Sequence, residues 1–197
     1  MPRRNRYEAL TIITNNEALL WKRSRGYAPD SAADKLDKAM LEWQSELTQT
    51  LKIWIDKGLA MTTGELILAR ANLGAVVESW LKFFYSVYYE DYCKSPITKS
   101  GKMVEPEKAQ FEDLKNFSNG KLWDSANSSE YAWVDSVQKK RNAIHSFRYR
   151  DIGTTQEFLD DIEHLYDFVD NVLSHFPPLE DYIESYPAGY VMNPYFD

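Results

Sequence analysis

The sequence predicts an all-α protein, a helical bundle of four long helices plus one short helix. Apolar residues recur at helical steps of three and four in four separate segments, and no segment shows the strict alternation typical of a half-buried strand. Six Trp, thirteen Tyr and nine Phe in 197 residues are ample for one core. We therefore predict a basic leader over residues 1–29, a helical bundle over 30–176 and an acidic, Tyr-rich tail over 177–197.

The first long helix is predicted from about Asp30 to Lys57, and Gly58 is a suitable stop. Its apolar residues recur at steps of three or four and predict the face that packs into the core. They are Leu36, Met40, Trp43, Leu47, Leu51 and Trp54.

The second helix is predicted from Glu65 to about Tyr89. The preceding Thr62-Thr63-Gly64-Glu65 is a capping box, in which a threonine and a glutamate satisfy each other's free backbone N–H groups. The helix is apolar on nearly every face, so we expect it at the centre of the bundle.

A polar connection over residues 94–126 follows, interrupted by a short helix from Pro106 to about Asn116. The third helix is predicted from about Ser128 to Phe147, with Asn127 as its N-cap residue.

Thr154 and Glu157 form a capping box at the start of the last helix, just after Gly153. This helix carries a heptad seam and ends at Pro177-Pro178. The seam consists of Phe158, Ile162, Leu165, Val169, Val172 and Phe176.

Charge is distributed unevenly along the chain. The formal net charge is −7, yet residues 151–197 hold eleven acids and no Lys or Arg, whereas residues 139–151 hold five basic residues and one acid. A local cationic cluster in an acidic protein predicts an anionic partner such as a phosphodiester.

Arg141 and His145 lie inside this cationic cluster at positions i and i+4. On one continuous helix they would be neighbours, beside a core-facing stripe formed by Trp133, Val137, Ile144 and Phe147. Arginine binds phosphate oxygens through a fixed fork of donors, and histidine moves protons near neutral pH. The alternative is a boundary histidine beside a solvated basic face.

The stretch Arg141-Asn142-x-x-His145 resembles the motif of the HEPN superfamily of helical-bundle ribonucleases and nucleotide-binding proteins, with a shorter spacing than is usual there. The resemblance implies a homodimeric endoribonuclease that needs no metal ion and leaves a 2′,3′-cyclic phosphate and a 5′-hydroxyl. It implies that His145 is the general base or acid, that Arg141 stabilises the phosphorane and that Asn142 orients the site.

The same resemblance implies a role in toxin–antitoxin or antiviral systems, or alternatively a HEPN-fold protein that binds without cutting. An unrelated helical interaction protein is a third reading. A regulatory protein partner is a further expectation.

The sequence also predicts roles for several other residues. Lys139, Arg148 and Arg150 are predicted to bind RNA phosphates, and Glu78 is either a partner of the motif or an ion-pair partner of Lys82.

One cysteine and three histidines without zinc spacing predict no metal site, and we expect no cofactor. No uncharged run of 18 residues occurs, so we expect a cytoplasmic protein without a membrane segment. The acidic tail is expected either to cover core edges through Tyr182, Tyr186 and Tyr190 or to compete with RNA for the cationic cluster.

Overall fold

The structure is a computed structural model that describes residues 3–145, 147–177 and 185–194. Its described part contains eight α-helices and one small antiparallel hairpin, which confirms the all-α class. The helices are α1 (Arg3–Trp21), α2 (Asp30–Lys38), α3 (Leu41–Lys57), α4 (Thr63–Val87), α5 (Tyr89–Lys94), α6 (Phe111–Phe117), α7 (Ser129–Arg141) and α8 (Thr155–Ser174). The strands are β1 (Thr98–Lys99) and β2 (Lys102–Met103).

Helix α4 is the centre of the bundle, as its sequence predicted. It contacts α2, α3, α6, α7 and α8, and most of its large apolar side chains are buried. The predicted capping box is present: the Glu65 N–H donates to Thr62 Oγ1 at 3.4 Å, and the Thr62 N–H donates to Glu65 Oε2 at 2.9 Å.

Helix α1 was not predicted from the sequence. It packs against α3 and α8, and its Leu10 and Trp21 side chains are fully buried. Arg6 binds Asp167 of α8 at 2.8 Å. The bundle core therefore includes residues of the stretch 1–29, which the sequence indicated as a leader.

The predicted helix over residues 30–57 is broken into α2 and α3. Ala39 is extended, and the Lys22 ammonium donates to its carbonyl oxygen at 2.8 Å. The break changes the rotational phase of the helix, so the predicted core face is wrong for Met40 and Trp43, which are 50% and 61% exposed.

The polar residues of α3 take the place of these apolar side chains in the interior. Gln44, Ser45 and Thr48 are buried, and the Thr48 hydroxyl donates to the Gln44 carbonyl at 2.9 Å. A hydroxyl bonded within its own helix can be buried at low cost.

The connection over residues 94–126 contains the hairpin and α6. The short helix starts later than predicted, because Pro106 begins only a 3₁₀ turn, and the α-helix follows from Phe111. Phe111 and Leu114 are buried, so α6 belongs to the bundle.

Helix α8 matches its predicted pattern. Thr154 and Glu157 form the expected capping box, and five seam residues from Phe158 to Val172 are buried. The sixth, Phe176, is half-buried and packs edge-on against Trp21 and Phe83.

The described tail residues, 185–194, dock on α1. The Asn16 amide donates to the Val191 carbonyl at 2.7 Å, and the Val191 N–H donates to Asn16 Oδ1 at 3.0 Å. Tyr186 stacks on Tyr190 with ring centroids 4.1 Å apart. Tyr182 lies outside the described residues.

Among the described helices, we find no segment with the length and apolar character needed to cross a membrane.

Candidate nucleic-acid interface

Helix α7 ends earlier than predicted, and this changes the geometry of the motif. Ser128, rather than Asn127, caps its start by accepting a bond from the Tyr131 N–H at 3.1 Å. The α-helix stops at Arg141, and Asn142–His145 form a 3₁₀ turn. Asparagine and isoleucine are weaker helix formers than alanine or leucine, and 3₁₀ turns are common at helix ends.

The tighter turn separates Arg141 from His145. A 3₁₀ turn advances about 120° per residue against about 100° in an α-helix, so four steps rotate His145 by about 120° instead of about 40°. The prediction that both side chains share one helix face is therefore wrong. Ile144 and Phe147 also leave the predicted core stripe and are 41% and 103% exposed.

The Arg141 side chain is held between two residues of α4. Its Cβ and Cγ atoms pack on Gly74, where an added Cβ would lie 2.5 and 2.4 Å from them. Its Nη2 atom donates to Glu78 Oε2 at 2.6 Å. Arg141 is thus a packed residue whose charge is already paired.

Glu78 combines the two roles predicted for it as alternatives. Its Oε1 atom lies 2.8 Å from the Lys82 ammonium, while Oε2 binds Arg141. The Glu78 side chain is only 12% exposed, so both cations approach a largely desolvated carboxylate.

His145, by contrast, is exposed at the end of the 3₁₀ turn. Its side chain makes no hydrogen bond or ion pair with any residue that the structure describes. The preceding Ala143 is buried and anchors the turn, and Asn142 is half-buried. The exposed imidazole is therefore accessible to a ligand from solvent.

The chain after His145 presents aromatic and basic residues in alternation. Phe147 and Tyr149 are 103% and 90% exposed, and Arg148 and Arg150 are exposed beside them. Neither arginine has an ion-pair partner among the described residues. Lys139, the third predicted phosphate ligand, already pairs with Asp135 at 2.5 Å.

A buried arginine, Arg70 of α4, holds the connection that follows. Its Nε and Nη2 atoms donate to the carbonyls of Ile152 and Thr154 at 3.0 and 3.3 Å, and its Nη1 atom binds Asp161. Gly153, between the two carbonyls, has a φ of 67°, a left-handed conformation that favours glycine. This clamp fixes the end of the segment that carries Phe147–Arg150.

Asp161 of α8 has two further partners besides Arg70. The Trp133 indole N–H donates to its Oδ1 atom at 2.9 Å, and the Lys140 ammonium lies 3.7 Å from its Oδ2 atom. Lys140 therefore lies beside two carboxylates, those of Asp161 and Glu157.

The Arg70 clamp was missed from the sequence, although a signal existed. Arg70 is the only basic residue between Leu66 and Leu81, in the most apolar helix of the chain. A charge at such a position needs a buried partner.

The comparisons with known proteins add no relative. Family models, curated proteins and solved structures were all searched, and none matches the chain. Within the described residues, no group of three or more His, Cys, Asp or Glu side chains is placed to hold a metal ion.

Proposed function

We propose that this protein binds single-stranded RNA at the end of α7 and cleaves it without a metal ion, in the manner of HEPN ribonucleases. One observation carries the proposal: the exposed His145, without a partner among the described residues, lies two residues before the alternating exposed aromatic and basic residues of 147–150. Single-stranded nucleic acids bind such surfaces, because bases stack on aromatic rings while arginines contact phosphates.

In this proposal Phe147 and Tyr149 stack bases, and Arg148 and Arg150 bind phosphates. His145 takes the proton from a 2′-hydroxyl, whose oxygen attacks the adjacent phosphorus and expels the 5′-oxygen. Asn142 orients the substrate. Arg141 contributes to phosphate binding only if the phosphate draws it away from Glu78.

The leaving 5′-oxygen needs a proton while His145 holds the one from the 2′-hydroxyl. A second histidine from a second copy of the chain would supply it, so the proposal includes a homodimer.

Exposed apolar side chains on two helices favour this dimer. Helix α4 holds Arg141 through Glu78 and packs on α3, where Asn72 donates to the Leu47 carbonyl at 3.0 Å. Leu68 of α4 and Trp43 of α3 are exposed. A second copy of the chain would cover these apolar side chains.

RNA binding without cleavage is the second candidate. The Arg141–Glu78 ion pair favours it, because a paired arginine is a poor stabiliser of phosphorane charge. A role in a toxin–antitoxin or antiviral system and a regulatory protein partner stay predictions.

The test measures binding and cleavage of a single-stranded RNA in EDTA for wild type, His145→Ala and the double variant Arg148→Gln/Arg150→Gln. We expect His145→Ala to lower cleavage at least about 100-fold with unchanged binding, and the double variant to weaken binding. Arg25→Gln, an exposed arginine far along the chain, is the matched control for lost charge.

Binding without cleavage in the wild type would select the second candidate. Absence of binding, or cleavage that survives His145→Ala, would overturn the proposed site.

A further inference from the structure

A second feature of the molecule lies at the C-terminal ends of α4 and α8, away from the Arg141 contact in the middle of α4. It is a cleft of about 240 Å³ between α4, α5, α6 and the end of α8. Its walls are five aromatic rings, and its rim is polar. The rings belong to Phe84, Tyr85, Tyr88, Tyr92 and Phe117.

The rings form one continuous aromatic surface. Tyr85 and Phe117 have centroids 5.0 Å apart, Tyr92 and Phe117 5.4 Å, and Phe84 and Tyr88 5.1 Å. Such edge-on and tilted contacts fix the rings in place before any ligand arrives.

The phenol hydroxyls of the cleft already form hydrogen bonds within the protein. The Tyr85 hydroxyl bonds Ser118 at 2.7 Å, and the Tyr88 and Tyr92 hydroxyls donate to the His175 and Val104 carbonyls. Burial raises the pKa of all three phenols above the ordinary value, so they remain neutral. The walls therefore offer ring surfaces and no negative charge.

Lys121 supplies a positive charge at the rim. Its ammonium lies 3.8 Å from the Phe117 ring centroid and donates one bond, to the Phe117 carbonyl at 2.7 Å. Ammonium has three donors, and no carboxylate among the described residues forms an ion pair with this one. Burial lowers the pKa of Lys121, because it disfavours the charged ammonium. An anion bound beside Lys121 would favour the charged form again.

The other charged group at the rim is already paired. Asp91 binds the Lys94 ammonium at 2.6 Å, so its charge is partly neutralised. His175 donates from Nδ1 to the Asn171 carbonyl, 2.7 Å away, which leaves only Nε2 for a ligand.

From this arrangement we propose that the cleft binds a small planar aromatic acid, with its ring between the aromatic walls and its carboxylate on Lys121. An apolar cavity of about 150 Å³ holds one benzene ring, so the larger volume here fits one or two fused rings. The apolar walls with one convergent charge match the usual composition of small-molecule sites. This inference does not rest on the proposed RNA site.

The test uses 2-naphthoate as the probe and 2-naphthylmethanol as its uncharged match, with binding followed by calorimetry and by NMR shifts of the full chain. We expect naphthoate to bind with a dissociation constant on the order of 1 mM or below, and the alcohol to bind at least several-fold more weakly. Lys121→Gln should weaken naphthoate about tenfold and leave the alcohol unchanged. Lys38→Gln, an exposed lysine on α2, is the control for lost charge.

Two further variants make the result specific to the cleft. Asp91→Asn should strengthen naphthoate binding, because it removes the negative charge from the rim. Ser95→Trp, at an exposed rim position, should fill the cleft and abolish binding of both probes while circular dichroism shows an intact fold. Equal binding of the alcohol and the acid, no effect of Lys121→Gln, or no binding of either probe to folded wild type would each overturn the proposal.

Discussion

At the residue scale, Arg70 is the most fully buried cation in the described part of the chain. Its side chain is 1% exposed, and it joins α4 to two carbonyls of the α7–α8 connection and to Asp161. Desolvating a guanidinium is costly unless its donors are paired, and here its Nε, Nη1 and Nη2 atoms all have partners.

We predict that Arg70→Leu lowers the free energy of unfolding by about 3 to 5 kcal/mol, because it leaves Asp161 with a largely buried charge and two carbonyls without donors. Urea unfolding followed by circular dichroism measures the change. Arg25→Gln, at an exposed ion pair, should leave the unfolding midpoint unchanged. Equal stability of the two variants would show that the clamp contributes nothing.

Lys115 of α6 is the second buried cation. Its side chain is 2% exposed, and its ammonium binds Asp135 at 2.6 Å and both Glu112 and Gln138 at 3.0 Å. Burial alone would lower the pKa of Lys115, but the bonds to Asp135 and Glu112 raise it. Burial would raise the pKa of Asp135, but the bonds from Lys115 and Lys139 lower it.

These shifts give a pH dependence with a definite sign. Because its pKa is lowered, the Asp135 carboxylate stabilises the fold above about pH 4, and this stabilisation is lost as the pH falls. Because its pKa is raised, the Lys115 ammonium stabilises the fold below about pH 10, and this stabilisation is lost as the pH rises. Lys115→Met should therefore cost most stability between about pH 5 and 10, and the loss should shrink toward about pH 3. Unfolding in urea at several pH values measures it, with Lys52→Met at an exposed pair as control. A loss independent of pH would contradict the assignment.

At the element scale, the packing of α7 on α4 depends on Gly74. A methyl group there would lie 2.4 Å from Arg141 Cγ, near the root of the side chain, so the end of α7 would have to move. Gly64, near the start of the same helix, has nothing within 4 Å of its added Cβ.

We predict opposite effects of two identical substitutions. Gly74→Ala should lower the free energy of unfolding by about 1 to 3 kcal/mol through overpacking and should break the Arg141–Glu78 contact. Gly64→Ala should raise it by about 0.5 to 1 kcal/mol, because alanine favours helix. Urea unfolding and the NMR signals of the arginine side chains report both effects; a stabilising Gly74→Ala would contradict the packing.

At the scale of the whole molecule, the proposed dimer would bury the exposed Trp43 of α3. Two copies joined there would give a mass of twice 23.0 kDa by light scattering at tens of micromolar. Trp43→Glu should return the mass to 23.0 kDa, because it places a charge in the interface. Ile53→Glu, turned about 80° away on the same helix, should not.

Phosphate or sulfate should strengthen the dimer by screening the two cationic motifs that face each other. A wild-type mass of 23.0 kDa under all these conditions would count against the proposed catalytic arrangement.

The sequence by itself determined the helices whose signals are local. The capping boxes at Thr62 and Thr154 and the apolar periodicity of α4 and α8 predicted both elements and their buried faces, because caps and periodicity depend only on residues a few positions apart. The cationic cluster was also readable from the sequence, whereas its use on RNA stays a prediction.

Only the tertiary structure decided where helices break and which charges are paired. The break at Ala39 and the 3₁₀ turn after Arg141 shift side chains to new faces, so a steady 3.6-residue pattern continued through these points misassigns residues such as Trp43 and Phe147. Glu78 meets Arg141, and Arg70 meets Asp161, across long stretches of chain. Such partners depend on how helices pack, which no local pattern of residues encodes.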